Sequence, residues 1–200
     1  MTHTQTSDLI CAVEQADSPA RLVAAVKALA AAKKEAGIST LIAVLGYNNP
    51  TAAVAAVAGL IALGHSAVQP LIQQLDEYNY GARAYAMRAL AAIADPSALD
   101  VLQTAALYDF APSVRRAAAK GLGTITWSHE EQCSAQDKAL QTLLAISEDS
   151  DWSIRYAAIV GLQALATTPN LTQQIQARFQ QMSETETDLT VRARVQLACD

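Results

Sequence analysis

The feature that most constrains this chain is a segment whose plan five other segments repeat. Residues 151–165, DWSIRYAAIVGLQAL, read as one complete helix. Asp151 stands where an N-cap carboxylate accepts from the free amides of the first turn, and Ile154, Ala158, Leu162 and Leu165 follow at helical spacing. Counted from Arg155, the residues three, six and seven places on are Ala158, Gly161 and Leu162. The two small side chains let a neighbouring helix come close, while the leucine fills the space between them. The same plan starts from Leu22 (Ala25, Ala28, Leu29), Ala53 (Ala56, Gly59, Leu60), Arg83 (Ala86, Ala89, Leu90), Arg115 (Ala118, Gly121, Leu122) and Arg192 (Val195, Ala198, Cys199). The caps stand four residues before each reference, at Ser18, Asn49, Asn79, Ala111 and Asp188. Proline follows as Pro19, Pro50 and Pro112, at the helical position where its missing N–H is harmless.

The references are separated by 31, 30, 32, 40 and 37 residues, and periods of this size define a solenoid. Shorter apolar helical stretches lie between the capped ones, at 8–16, 38–45, 67–75, 98–107, 137–146 and 171–181, so each unit is a helical pair. The expected fold class is therefore all-α, a right-handed α-solenoid of about six HEAT-like helical pairs, forming one repeat domain over residues 1–200. The longer fourth step comes from an insertion at 127–136, WSHEEQCSAQ, and the fifth from extra residues at 167–170 and 183–187. Both are expected to project as loops.

Composition narrows the function classes. A chain that is 52% hydrophobic, 5% aromatic and 16% charged, with no alternating pattern, offers nothing to read as strand. Its net charge of -5 lacks the basic face of a nucleic-acid solenoid. The first residues, MTHTQTSD, are polar, and no apolar run reads as approaching the roughly 20 residues of a membrane span. Cys11, Cys133 and Cys199 leave an odd count that fits a reducing cytoplasm, and Cys11 and Cys199 read as small core residues. There is no Gly-rich phosphate loop, paired CxxC, HExxH or nucleophile elbow. His129 and Cys133 lie four apart, a spacing that on a helix would suit a metal or an activated thiol. With no second pair beside them an exposed loop is the preferred reading, and no metal site is expected. His65, after Gly64 at a helix end, reads as a complement to the helix dipole.

Polar and aromatic residues concentrate at the start of the middle capped helices. They are Tyr78, Asn79, Tyr80 and Arg83; then Tyr108, Asp109, Phe110 and Arg115; then Asp149, Asp151, Trp152, Arg155 and Tyr156. A solenoid aligns such positions along one rim. Tyr80, Tyr108, Phe110 and Trp152 all stand beside caps, although the whole chain has only ten aromatic residues. Two readings follow. Arginines at this place, Arg155 and Arg192 above all, bond to the preceding repeat's capping acid and fix the stacking. Alternatively, aromatic faces and arginines form a groove for a flat anionic ligand.

The units GYNNPTAAVAAVAGLIALG, YNYGARAYAMRALAAIADPSALDVLQ, DFAPSVRRAAAKGLGTI and DWSIRYAAIVGLQAL resemble the HEAT-like repeats of the E/F-type phycobilin lyases of cyanobacteria, most clearly over residues 40–165. Any helical-repeat protein shares the V-R-x-x-A-x-x-x-L pattern, so the order of several family-like units carries the resemblance. With six units the chain is similar to the short F-type subunits rather than the longer E-type ones. The isomerising branch carries a His-Cys pair in an NHCQGN-like motif, which is absent here.

The resemblance implies a lyase subunit, active only with an E-type partner, that attaches phycocyanobilin to a cysteine of the phycocyanin alpha chain by thioether formation. The nucleophile then belongs to the acceptor, which suits a chain without a catalytic constellation, and the catalysis is chiefly positioning. Phycocyanobilin would be a substrate, with no cofactor permanently bound, and the work would be done in the cytoplasm on phycobilisome components. The implied roles give Arg83, Arg88, Arg115 and Arg155 to the bilin propionates, and Tyr80, Tyr108, Phe110, Trp152 and Tyr156 to its rings. Asp109, Asp149 or Asp151 would accept from the pyrrole N–H groups and are the catalytic candidates. The alternatives are a non-catalytic HEAT-repeat adaptor and a phycobilisome-degradation factor. The stretch 188–200, without a polar cap, and the apolar first helices at 9–32 are the expected places for a dimer partner.

Overall fold

The computed structural model describes residues 2–75, 79–127, 133–168 and 170–199, with side chains from residue 6 onward. Among these residues the regular structure is entirely helical, twelve α-helices and three short 3-10 turns. The chain divides into two compact units, Met1–Ile93 and Ala94–Asp200.

The first unit holds three helical pairs: α1 (Thr2–Glu14) with α2 (Pro19–Ala32), α3 (Ile38–Val44) with α4 (Pro50–Leu63), and α5 (Val68–Gln73) with α6 (Tyr80–Ile93). The capped helix of each pair packs on the next, α2 on α4 and α4 on α6. Each cap is built as its residue type dictates: Ser18 accepts from the Arg21 amide at 3.4 Å, Asn49 from Ala52 at 3.0 Å and Asn79 from Ala82 at 3.0 Å. The two asparagines also act between pairs. Asn49 Nδ2 donates to the Pro19 carbonyl at 3.4 Å, and Asn79 Nδ2 to the Gly46 carbonyl at 3.3 Å. Leu29, Leu41, Leu60, Leu71, Met87 and Leu90 are fully buried, each worth roughly 1.5–3 kcal/mol of apolar burial. The small residues of the repeat make this possible: a Cβ added at Gly59 of α4 would lie 2.7 Å from the Ala30 Cβ of α2.

The second unit continues with α7 (Leu99–Tyr108) and α8 (Pro112–Thr124), α9 (Cys133–Ile146) and α10 (Trp152–Leu165), and α11 (Thr172–Thr185) and α12 (Leu189–Cys199). Here α10 packs on both α8 and α12, and α9 on α7. Leu102, Leu122, Leu140, Leu143, Ile154 and Ile159 form the core. Across the α8–α10 crossing the backbones nearly touch. A Cβ on Gly123 would overlap the Gly161 carbonyl, and one on Gly161 would lie 2.5 Å from the Ala119 carbonyl oxygen.

Several sequence expectations need correction. The first helix begins at Thr2, well before the expected start at Asp8. Residues Cys133 to Gln136, expected in a loop, form the first turn of α9, and Ser183 to Thr185 extend α11 by its last turn, so part of each insertion lengthens a helix. His129 lies outside the described residues, as does Tyr78. Cys199 is exposed rather than core, since Val191 and Val195 take the inward positions of α12 and no described helix covers its end; Cys11 is only half-buried. Pro50–Gln73, 24 residues containing an 18-residue stretch with a mean hydropathy of 1.8, does have the length and composition of a membrane span. In the fold it is two helices, broken at Gly64 with φ +63°, and Ala52, Ala56 and Leu60 face a protein core.

Candidate functional site

In the second unit the loop before each capped helix follows one rule. An acid two residues before the cap accepts the cap's own N–H: Asp109 from Ala111 at 2.8 Å, Asp149 from Asp151 at 2.9 Å and Glu186 from Asp188 at 2.9 Å. The cap then closes the helix. Asp151 accepts from the Ser153 amide at 2.8 Å and its hydroxyl at 2.7 Å, and Asp188 accepts from the Thr190 and Val191 amides at 2.9 and 3.0 Å. Ala111 has no cap side chain, and Pro112 at the first helical position leaves α8 with one fewer free amide to satisfy.

The reference arginine of one pair reaches the acid before the next cap. Arg115 donates to Asp149 at 2.5 Å and to the Ala106 carbonyl at 2.9 Å. Arg155 forks onto both Glu186 oxygens at 2.8 Å each and holds the Asp149 carbonyl at 2.9 Å. The predicted arginine ladder is thus present with its direction reversed, running to the following pair instead of the preceding one. Arg192 is exposed and makes no such rung among the described residues.

Electrostatics follow the geometry. The fork from Arg155 holds the Glu186 carboxyl below its usual range although burial opposes it, and the same bonds raise Arg155. The Ser153 hydroxyl, then its amide and the charge of Arg116, hold Asp151 low. Arg116 is itself bonded to Ser153 Oγ at 3.0 Å.

The aromatic candidates stand in solvent beside these loops. Tyr80 is 56% exposed, Tyr108 78%, Phe110 73% and Trp152 48%, while Tyr156 is half-buried. Leu189, first residue of α12, repeats the position of Trp152 and is 77% exposed. Of the arginines, Arg83 is buried within α6, and Arg115 and Arg155 are engaged inside the fold. Arg88 is exposed, its guanidinium carbon 5.3 Å from the centre of the Tyr85 ring. Sequence reading missed Glu186 and Arg178. Arg178, largely buried on α11, donates to Ser147 Oγ at 2.7 Å and pairs with Glu148 at 2.8 Å. Arg178, Arg155 and Glu186 line one polar cleft of about 450 Å³. The signal that could have found Glu186 is the recurring acid two places before a cap.

Stacked helical pairs with an arginine ladder define a HEAT-repeat protein, and the family model for HEAT repeats matches residues 68–163 and 104–198. The phycocyanobilin lyase subunit beta of Nostoc sp. (strain PCC 7120) is 58% identical over 196 residues, covering 96% of this chain and 98% of the relative. The phycocyanin alpha phycocyanobilin lyase CpcF of Synechocystis sp. (strain PCC 6803) is 56% identical over 161 residues, covering 79% and 75%. Among solved structures, a chain in the complex of CpcE and CpcF of phycocyanin lyase from Nostoc sp. PCC7120 superimposes with a TM-score of 0.81 at 57% identity, over 84% of this chain and all of that one. The chain belongs to the phycocyanobilin lyase beta-subunit family.

Proposed function

We propose that this chain is the F-type subunit of a heterodimeric lyase that joins phycocyanobilin to a cysteine of the phycocyanin alpha chain, acting in the cytoplasm during phycobilisome assembly. The observation that carries the reading is the near end-to-end identity with a phycocyanobilin lyase subunit, together with the likeness to a chain solved in complex with an E-type subunit. The same identities weigh against a non-catalytic adaptor. In the reaction an acceptor S–H adds across the exocyclic double bond of the bilin A ring, so that a C–S bond forms and the proton goes to the neighbouring carbon. That step needs an aligned thiol and bilin more than a reactive group on the lyase.

The bilin contacts are assigned by what the fold leaves available. In the second unit Tyr108, Phe110 and Trp152 offer ring faces, with Tyr156 behind them. In the first unit Tyr80 offers a ring and Arg88 a cation for a propionate. Arg115 and Arg155 serve the fold first, because a propionate would have to displace Asp149 or Glu186. Asp109, Asp149 and Asp151 are likewise spent on amides, so their part is to shape the rim that presents the aromatics.

Co-expression with an E-type subunit, the phycocyanin alpha chain and the enzymes that make phycocyanobilin tests this. A zinc-fluorescent acceptor band on a denaturing gel is expected with this chain and absent without it. Phe110→Ala, at a residue 73% exposed, is expected to keep wild-type melting, Trp152→Ala, at one 48% exposed, to lose about 1–2 kcal/mol of stability, and both to reduce attachment at least about tenfold. Full attachment without this chain would sink the lyase reading, and full attachment by the double variant would remove the rim from the site.

A further inference from the structure

Three arginines of the second unit are held by carboxylates, and one is held differently from the others. Arg115 and Arg155 pair with Asp149 and Glu186, whose side chains are themselves largely buried. The side chain of Arg178 on α11 is 10% exposed, but that of its partner Glu148 is 69% exposed. Arg178 Nε donates to Ser147 Oγ at 2.7 Å and Nη1 to Gln181 Oε1 at 2.8 Å. These neutral acceptors fix the plane of the guanidinium without meeting its charge. Nη2 meets Glu148 Oε1 at 2.8 Å. A largely buried cation needs a countercharge, whereas an acid standing mostly in water gains little from the pair. Glu148 is therefore exchangeable: a second carboxylate can take its place on Nη2 and leave it in solvent.

Open space adjoins Arg178 in both directions along α11. Towards the end of the helix lies the cleft of about 450 Å³, which runs past Met182 and Thr185. Towards its start a second recess of about 510 Å³ is lined by Gln174 and Ala177, with Gln141, Leu144 and Ala145 of α9. Arg178, Glu148 and Gln181 belong to both. From Gln174 to Thr185 the helix rises about 16 Å. Each recess has the size of a small-molecule site, roughly 300–1,000 Å³. The ligand that matches this layout carries a carboxylate near its middle and an uncharged body extending both ways. A linear tetrapyrrole has that form, with propionates on its two inner rings and neutral lactams on the outer ones, to which the amides of Gln141 and Gln174 are suited. The site also borders the aromatic rim, because Ser147, Glu148 and Asp149 line the cleft and Trp152 opens α10 three residues on.

We infer that Arg178 binds a propionate of phycocyanobilin, which displaces Glu148 from its guanidinium. This rests on the lyase reading above and adds a cation in the unit whose other two ladder arginines serve the fold. The bilin is chosen over an acidic side chain of a protein partner because the recesses continue on both sides of Arg178, whereas a side-chain carboxylate would need the guanidinium alone.

The test titrates the complex of this chain and the E-type subunit with phycocyanobilin, and in parallel with its dimethyl ester, whose propionates carry no charge. Visible absorption is followed with no acceptor present. Glu148→Gln keeps a hydrogen-bond acceptor for Arg178 and removes the competing charge from an exposed position. It is expected to fold as the wild type does by circular dichroism, to bind the acid at least about threefold more tightly and to leave ester binding unchanged. Arg178→Met keeps the apolar stem and removes the cation. It is expected to bind the acid at least about tenfold more weakly, the ester as before, and to abolish the effect of Glu148→Gln in the double variant. Acid binding by Glu148→Gln equal to wild type, or an equal change for acid and ester, overturns the inference. So does a Glu148→Gln chain that gains only in association with the E-type subunit or the phycocyanin alpha chain, which would give Arg178 to a protein carboxylate. If the wild-type complex takes up neither acid nor ester, the lyase reading fails first and takes this inference with it.

Discussion

Replacing Gly123 or Gly161 by alanine is expected to cost about 3 kcal/mol of stability, although alanine is the better helix former by nearly 1 kcal/mol. Both glycines lie where α8 crosses α10, the Gly123 Cβ would enter the Gly161 carbonyl, and the Gly161 Cβ would meet both the Ala119 carbonyl and a Leu143 methyl at 2.7 Å. Backbone cannot step aside as a flexible side chain does, so the helices must separate and the buried Leu122, Ile154 and Leu162 lose contact. For a chain of this length such a loss lowers the melting temperature by about 10 °C. Gly81→Ala is the control. Among the described residues its Cβ meets Asn79 Oδ1 alone, at 3.3 Å, a side-chain atom that has to give by only a few tenths of an ångström, and circular-dichroism melting is expected to show a far smaller loss than at Gly123. Equal melting of wild type and Gly123→Ala would mean that the α8–α10 crossing is looser than described.

The second large effect belongs to the rung between Arg155 and Glu186. Their side chains are only 16% and 5% exposed, and Arg155→Ala leaves the Glu186 carboxylate buried with the backbone amides of Asp188 and Thr187 and no countercharge bonded to it. Breaking a buried pair from one side costs about 3–5 kcal/mol. The pH dependence has a defined sign. Glu186 has a lower pKa folded than unfolded, so its stabilisation is fully present above the ordinary glutamate value and is lost as pH falls through the depressed folded value. Denaturant titrations of wild type and Glu186→Gln are therefore expected to differ most at neutral pH and to converge in acid below the usual carboxylate range. A gap that stays constant down to that range would show that the charge of Glu186 contributes nothing.

The repeat was legible because its signals are local. Asn49, Asn79 and Asp151 cap helices as their side chains dictate, and the small residues at Gly59 and Gly161 mark helix crossings that the structure places at van der Waals contact. The direction of the ladder was not legible, since acids stand before the caps on both sides of Arg155, Asp109 and Glu186 among them, and only the three-dimensional stacking selects Glu186. Helix starts were missed at Thr2 and Cys133, where the polar first turns carry no apolar periodicity to read. The aromatic rim was found because exposed rings beside caps are rare in so aromatic-poor a chain. Arg115 and Arg155 looked available in the sequence because a guanidinium's partner 31 or 34 residues away leaves no local trace.

The central claim is that this chain positions a bilin and an acceptor thiol and supplies no reacting group of its own. Reconstitution from purified E-type subunit, phycocyanobilin and phycocyanin alpha chain measures it, following covalent bilin by zinc fluorescence over time. With Cys11, Cys133 and Cys199 all replaced by alanine, the chain is expected to support attachment at the wild-type rate, because the thiol of the thioether belongs to the acceptor. A cysteine-free chain that folds, binds the E-type subunit and yet attaches no bilin would contradict the claim and place a nucleophile here.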